Sequence, residues 1–180
     1  MPLIITIPGR EFYDEANNEF IYTKPVTLTL EHSLLSISKW ESKWHKPYLS
    51  RDKKTKEEFE DYVRCMCISQ VSDPMVFSSL PLSITNKILS YIEDPMTATT
   101  FSDKGTPSRE VVTSELIYYW MSAASIPFEP CQKWHLNRLL TLIHIASIKN
   151  QPPKKMSKGE LMKRNSALNA ARRAKYGTRG

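Results

Sequence analysis

Residues 132–148 read QKWHLNRLLTLIHIASI. Leu136, Leu139, Leu140, Leu142, Ile143, Ile145 and Ile148 cover most of the circumference of a helix drawn through this stretch. A helix that is apolar nearly all round is one that other elements surround. The stretch therefore predicts the central helix of a mainly helical core. His135 and His144 are nine residues apart and point to opposite sides of such a helix, so they read as core residues rather than as a metal pair or a general base.

Working outward, the N-terminal side reads as small strands followed by helices. Leu3–Ile7 is rich in β-branched residues and stops at Pro8-Gly9, a turn signal. Glu19–Tyr22 is strand-like, and Val26–Leu30 alternates strictly, which implies one buried face. Residues 1–31 are expected to form an antiparallel sheet of two or three strands, with a turn at Asn17-Asn18. Alone it is marginal, so it has to pack on helices.

Residues 33–45 place Ser33, Ile37, Trp40 and Trp44 on one helical stripe, and Pro47 ends it. Thr55-Lys56-Glu57-Glu58 fits a capping box, opening a helix that buries Phe59, Tyr62, Val63 and Met66. Asp73-Pro74 starts a short helix through Phe77, and Ser83 is expected to cap another over 84–92. Residues 93–107 lack apolar periodicity and read as a loop long enough to suspect of function. Thr106-Pro107 looks like a cap for a helix over 108–125, with Val112, Leu116, Tyr119, Trp120 and Ala123 inward. Residues 126–130 break it.

Beyond the central helix the composition changes. Asn150-Gln151-Pro152-Pro153 is a stiff linker. Ser157-Lys158-Gly159-Glu160 matches a second capping box, opening an alanine-rich helix to about Lys175 that is good by propensity and poor in large apolar groups. The sequence thus predicts an α+β, mainly α fold: a short N-terminal antiparallel sheet, a bundle of five or six helices and a basic C-terminal helix. Residues 1–149 form the globular body, β-rich over 1–31 and helical over 32–149. Residues 150–180 form the Pro-containing linker and basic tail. The expected core includes Leu28, Leu30, Ile37, Trp40, Phe59, Tyr62, Trp120, Leu139 and Ile143.

Charge follows the same division. Residues 150–180 hold nine cations against Glu160 alone, a net +8. With +6 for all 180 residues, −2 remains for residues 1–149. A basic appendage on a mildly acidic body reads as an interaction arm or as a solvated helix that keeps the chain soluble. The candidate partner-binding residues are Lys154, Lys155, Lys158, Lys163, Arg164, Arg172 and Arg173. Only Tyr176 interleaves with these cations, which argues against a base-stacking platform.

Several chemistries find no support. No GxGxxG or GxxxxGK[ST] spacing occurs among the five glycines. Cys65 and Cys67 face different ways on a helix and read as structural thiols. Three cysteines suit a reducing compartment. Residues 1–9 lack a signal-peptide pattern, and no apolar run approaches about 18 residues. Trp40 and Trp44 read as core, and the acids Glu57, Glu58, Glu60 and Asp61 as a solvated helix face. No local signature of a catalytic triad is present. The expectation is a non-enzymatic protein with no cofactor and no metal.

Five stretches carry a resemblance: LLSISKWESKWHKP (34–47), EDPMTATTFS (93–102), CQKWHLNRLL (131–140), KNQPPKKM (149–156) and NAARR (169–173). Together they span most of the chain and resemble a tail-module family of siphovirus-type phages and prophages of Gram-positive bacteria, the tail assembly chaperones. The resemblance implies a non-enzymatic factor of the host cell cytoplasm, absent from the mature virion. Such a factor binds the tape measure protein, with the major tail protein as a second expected partner, while the tail tube is built. It supplies no catalytic residue. A structural virion protein, such as a head–tail connector or tail completion protein, fits the same residues, and a nucleic-acid-binding protein acting through the tail is a further alternative.

Overall fold

In the computed structural model, residues 2–9, 11–14, 18–22, 24–78, 80–101, 110–150 and 157–177 are described. Strands β1 (Leu3–Ile7) and β4 (Val26–Leu30) pair antiparallel, with Leu3 opposite Leu30 and Ile7 opposite Val26. Alternation turns Ile5, Ile7, Leu28 and Leu30 into the core. Between them β2 (Glu11–Asp14) and β3 (Glu19–Tyr22) form a second antiparallel pair of their own. The expected single sheet is thus two separate two-stranded ladders, and the β1–β4 pair is the one tied to the helices.

Helix α1 (Leu34–Trp44) starts at Ser33, whose hydroxyl accepts from the Ser36 N–H, and ends with His45 in the left-handed region at φ 52°. Helix α2 (Lys56–Met66) opens with the predicted Thr55/Glu58 capping box. A 3-10 turn over Pro74–Phe77, capped by Asp73, precedes α3 (Leu82–Glu93). Then come α4 (Ser114–Ala123), the short α5 (Phe128–Cys131), α6 (Leu136–Asn150) and α7 (Lys158–Tyr176). The fold is α+β and mainly α. By contacts the chain divides into two compact units, Met1–Ala146 and Ser147–Gly180.

Four helix readings need correction. Helix α3 begins at Leu82, one residue before Ser83, with Pro81 in the cap position and no side-chain cap. Helix α4 begins at Ser114 under a Thr113 cap; Thr106 and Pro107 lie outside the described residues. Its buried face is Ser114, Ile117 and Met121, one position round from the expected stripe, and Tyr119 is exposed. The "break" at 126–130 contains α5.

Helix α6 starts at Leu136, with residues 132–134 in a turn. Its fully buried line is Leu136, Leu139 and Ile143, while Leu140, Leu142 and Ile145 are half-buried and Ile148 is exposed. An apolar circumference therefore did not make it the centre. The fully enclosed large side chains come instead from several elements: Leu28, Leu30, Leu34, Ile37, Trp40, Tyr62, Met66, Ile88, Ile117, Met121, Leu136 and Leu139. Of the expected core, Phe59 and Trp120 are only half-buried and pack against it.

Leu139 is completely enclosed. Leu139→Ala should cost about 2–5 kcal/mol in urea melts, the transfer free energy of the lost methyl groups plus a cavity. A loss below about 1 kcal/mol would show a site that collapses without consequence.

Candidate functional site

Two places concentrate polar chemistry: a buried knot in the body and the exposed helix α7. The knot begins where β4 passes into α1. His32 is buried there, and its position follows the inward alternation Leu28, Leu30, His32. Its Nδ1 lies 2.5 Å from the Tyr62 hydroxyl of α2. His135, just before α6, stacks edge-on against it with ring centroids 5.0 Å apart. The His135 Nε2 lies 2.9 Å from the Tyr91 carbonyl. A carbonyl only accepts, so Nε2 carries the proton and Nδ1 is left with its lone pair. That Nδ1 is buried with no hydrogen-bond partner.

Burial, with the neighbouring imidazole second, pushes His32 down to about 3. Burial also lowers His135, against opposing contributions from the Tyr91 carbonyl and Asp94. Burial raises the Tyr62 hydroxyl well above its usual range. All these groups are therefore neutral near pH 7. Neutral imidazoles held this way tie elements together inside the core. Among the described residues no group of three or more His, Cys, Asp or Glu could hold a metal ion. Cys65, on α2, and Cys67, just past its end, are free thiols and only half-buried, where the sequence suggested a buried pair on one helix.

A second set of buried polar groups corrects the reading of a solvated acidic face. Glu58 and Asp61 are buried, as is Glu41. Glu58 accepts from Lys46 at 2.6 Å and from the Thr55 amide at 2.8 Å, which hold its carboxyl below the usual range. Burial pushes Asp61 up, but hydrogen bonds from Lys43 and Trp44 and the charges of Lys43 and Arg64 outweigh it and hold it low. Glu41 accepts from the Tyr48 N–H and, 73 residues away, the Ser114 N–H, each at 2.8 Å. It thereby anchors the start of α4 to α1, where a carboxylate also faces the positive end of the helix. Trp40 stacks on Trp44 and donates to the Glu58 carbonyl at 2.9 Å, a core role. These acids are structural fasteners.

Helix α7 is the opposite case. Its capping box forms as the sequence suggested, and the Ser157 amide and hydroxyl hold Glu160 below the usual range. Every one of its residues is exposed. Lys158, Lys163, Arg164, Arg172 and Arg173 all lie on it, and Lys175 joins them, against Glu160 alone. Lys154 and Lys155 lie outside the described residues. At 3.6 residues per turn, Leu161 and Leu168 share one side with Arg164, Arg172 and Lys175. Ala167, Ala170 and Ala174 fall on the other side, and Ala171 lies beside Arg164. The helix thus offers an apolar line flanked by cations. What it can do chemically is attract acidic surfaces and cover apolar ones.

The chain matches no protein-family model, no curated protein and no solved structure.

The neutral histidines make stability depend on pH. Unfolded, His32 takes a proton below about 6.5; folded, it does not until about 3. Its contribution is complete above pH 7 and is lost as pH falls through this window. Urea melts at pH 7.5 and 4.5 should differ by about 3 kcal/mol, and His32 should show no imidazole titration by NMR above pH 4. A titration midpoint near 6.5 would contradict the closed knot.

Proposed function

We propose that this protein is a tail assembly chaperone of a siphovirus-type phage or prophage. In this reading it is a non-enzymatic factor of the host cell cytoplasm, absent from the finished virion. It keeps the tape measure protein soluble while the major tail protein gathers around it. The observation that carries the reading is α7, a 19-residue helix with every residue exposed that displays Leu161, Met162, Leu168 and Tyr176 among six cations. Exposed apolar groups inside a charged rim suit a surface that covers a partner's apolar stripe. The resemblance of long sequence words to the phage tail-module family suggests the identity of that partner.

The body supports the reading by what its polar groups are occupied with. Glu41, Glu58, Asp61, His32 and His135 all fasten one element to another. A binding role asks of such a body only that it stay folded. No helix among the described residues is long and apolar enough to cross a membrane.

Two measurements test this. First, a chain ending at Gln151 should keep its cooperative melt, because α7 buries none of its own residues, and should bind the tape measure protein more weakly. A collapsed melting transition would assign α7 a structural role.

Second, co-expressed tape measure protein should be captured with nuclease present, and capture should fall modestly as salt rises. Exposed charges are screened beyond about 8 Å at physiological salt, while apolar contacts persist. A steep salt dependence with recovery of nucleic acid alone would favour binding through phosphate contacts. Finding the protein in purified virions at fixed copy number would favour a connector or tail completion role.

A further inference from the structure

Strands β2 and β3 form a two-stranded sheet of their own, apart from the β1–β4 ladder. Glu11 lies opposite Tyr22, and Tyr13 opposite Phe20. Directly opposed residues of an antiparallel pair share a face, so one face of this hairpin carries Tyr13, Phe20 and Tyr22 beside Glu11. The three aromatic residues are 51%, 59% and 71% exposed, although such side chains are among the largest apolar groups a fold can bury. Tyr13 and Phe20 lie side by side, with ring centroids 5.0 Å apart. The two tyrosine hydroxyls are already occupied: Tyr13 donates to the Asn18 side chain and Tyr22 to Glu11. What the face offers outward is ring surface and carboxylate.

Charge says what such a face accepts. Residues 11–22 hold four acids, Glu11, Asp14, Glu15 and Glu19, and neither Lys nor Arg, a net −4 where residues 1–149 together carry −2. Glu11 and Glu19 are exposed. Ring faces and carboxylates both attract ammonium and guanidinium groups, so the complement is an element that is at once basic and apolar. Helix α7 is such an element. It carries six cations against Glu160, a net +5. Leu161 and Leu168, both exposed, lie about 10 Å apart on the side that also bears Arg164, Arg172 and Lys175. Neither surface suits its own kind, since two hairpins would set −4 against −4 and two α7 helices +5 against +5. Only the mixed pairing joins opposite charge and apolar area. A two-stranded hairpin is marginal by itself in water, so covering its aromatic face also steadies it.

We infer that α7 of one copy docks on the aromatic face of the β2–β3 hairpin of a second copy, Leu161 and Leu168 against the rings and the flanking cations on the rings and acids. The contact is heterologous. Each copy uses its hairpin for one neighbour and its α7 for the other, so copies join head to tail into a ring or an open chain. The inference uses two surfaces of this chain and stands whether or not the tail-assembly reading holds.

The test is sedimentation of the full chain, which should show assembly that grows with concentration and weakens as salt rises. Glu11→Lys with Phe20→Ser blocks the hairpin face, and Leu168→Glu with Arg172→Glu blocks α7. Each double variant alone should self-associate about tenfold more weakly or less, with the melting temperature of the body unchanged, because all four side chains are exposed. Mixed one to one, the two variants should recover a dimer and nothing larger, since between them they keep one intact hairpin and one intact α7. That readout holds even where a blocked surface has lost its local fold. The inference is overturned if the full chain stays monomeric at every concentration, as it would if the hairpin served only a basic segment of another protein. It is also overturned if either variant alone assembles as the full chain does, or if the mixture stays monomeric.

Discussion

Everything in the body hangs on the passage of residues 30–35 through its centre. Here the chain leaves a strand and enters a helix with Leu30, His32, Ser33 and Leu34 buried and Glu31 and Leu35 half-buried, so a buried backbone polar group needs a partner or costs about 1–3 kcal/mol. Four elements supply those partners. The Glu31 N–H donates to Met66 at the end of α2, and the His32 N–H lies 3.4 Å from the Tyr91 hydroxyl of α3. The His32 carbonyl accepts from Leu136 at the start of α6, and the Leu35 N–H donates to Gln132. The side chain of His32 adds Tyr62. A single buried junction thereby sets where α2, α3 and α6 stand around α1.

The carboxylates complete this frame in a different way. Glu41, Glu58 and Asp61 are buried but not isolated, because each accepts from at least two donors. Removing one donor would strand a buried charge, which is far more costly than the net worth of the pair. These three acids are thus committed internally, while the cations of α7 are exposed.

That contrast shapes the functional reading. The buried His32 and His135 and the fastened Glu41, Glu58 and Asp61 serve to hold the body together. The surface set apart from this frame is the apolar-and-basic helix α7, in the second unit.

Local physics was enough for much of this. Capping boxes at Thr55 and Ser157, the Asp73 cap and the alternation of Val26–Leu30 depend on neighbours within a few residues, so they were legible in the sequence. The cations of α7 were legible as a compositional shift. His32 could have been found by extending the alternation by two residues. Pairing β1 with β4 around an inserted hairpin could not be read, because strand partners are chosen across distance. Nor could the burial of Glu58 and Asp61, which polar composition assigns to solvent and which only Lys46, Lys43 and Trp44 make tolerable. The near-uniform apolar surface of residues 136–148 carried no mark of which side faces inward. Tertiary packing decided that: the space around α6 is filled along Leu136, Leu139 and Ile143 and left partly open elsewhere.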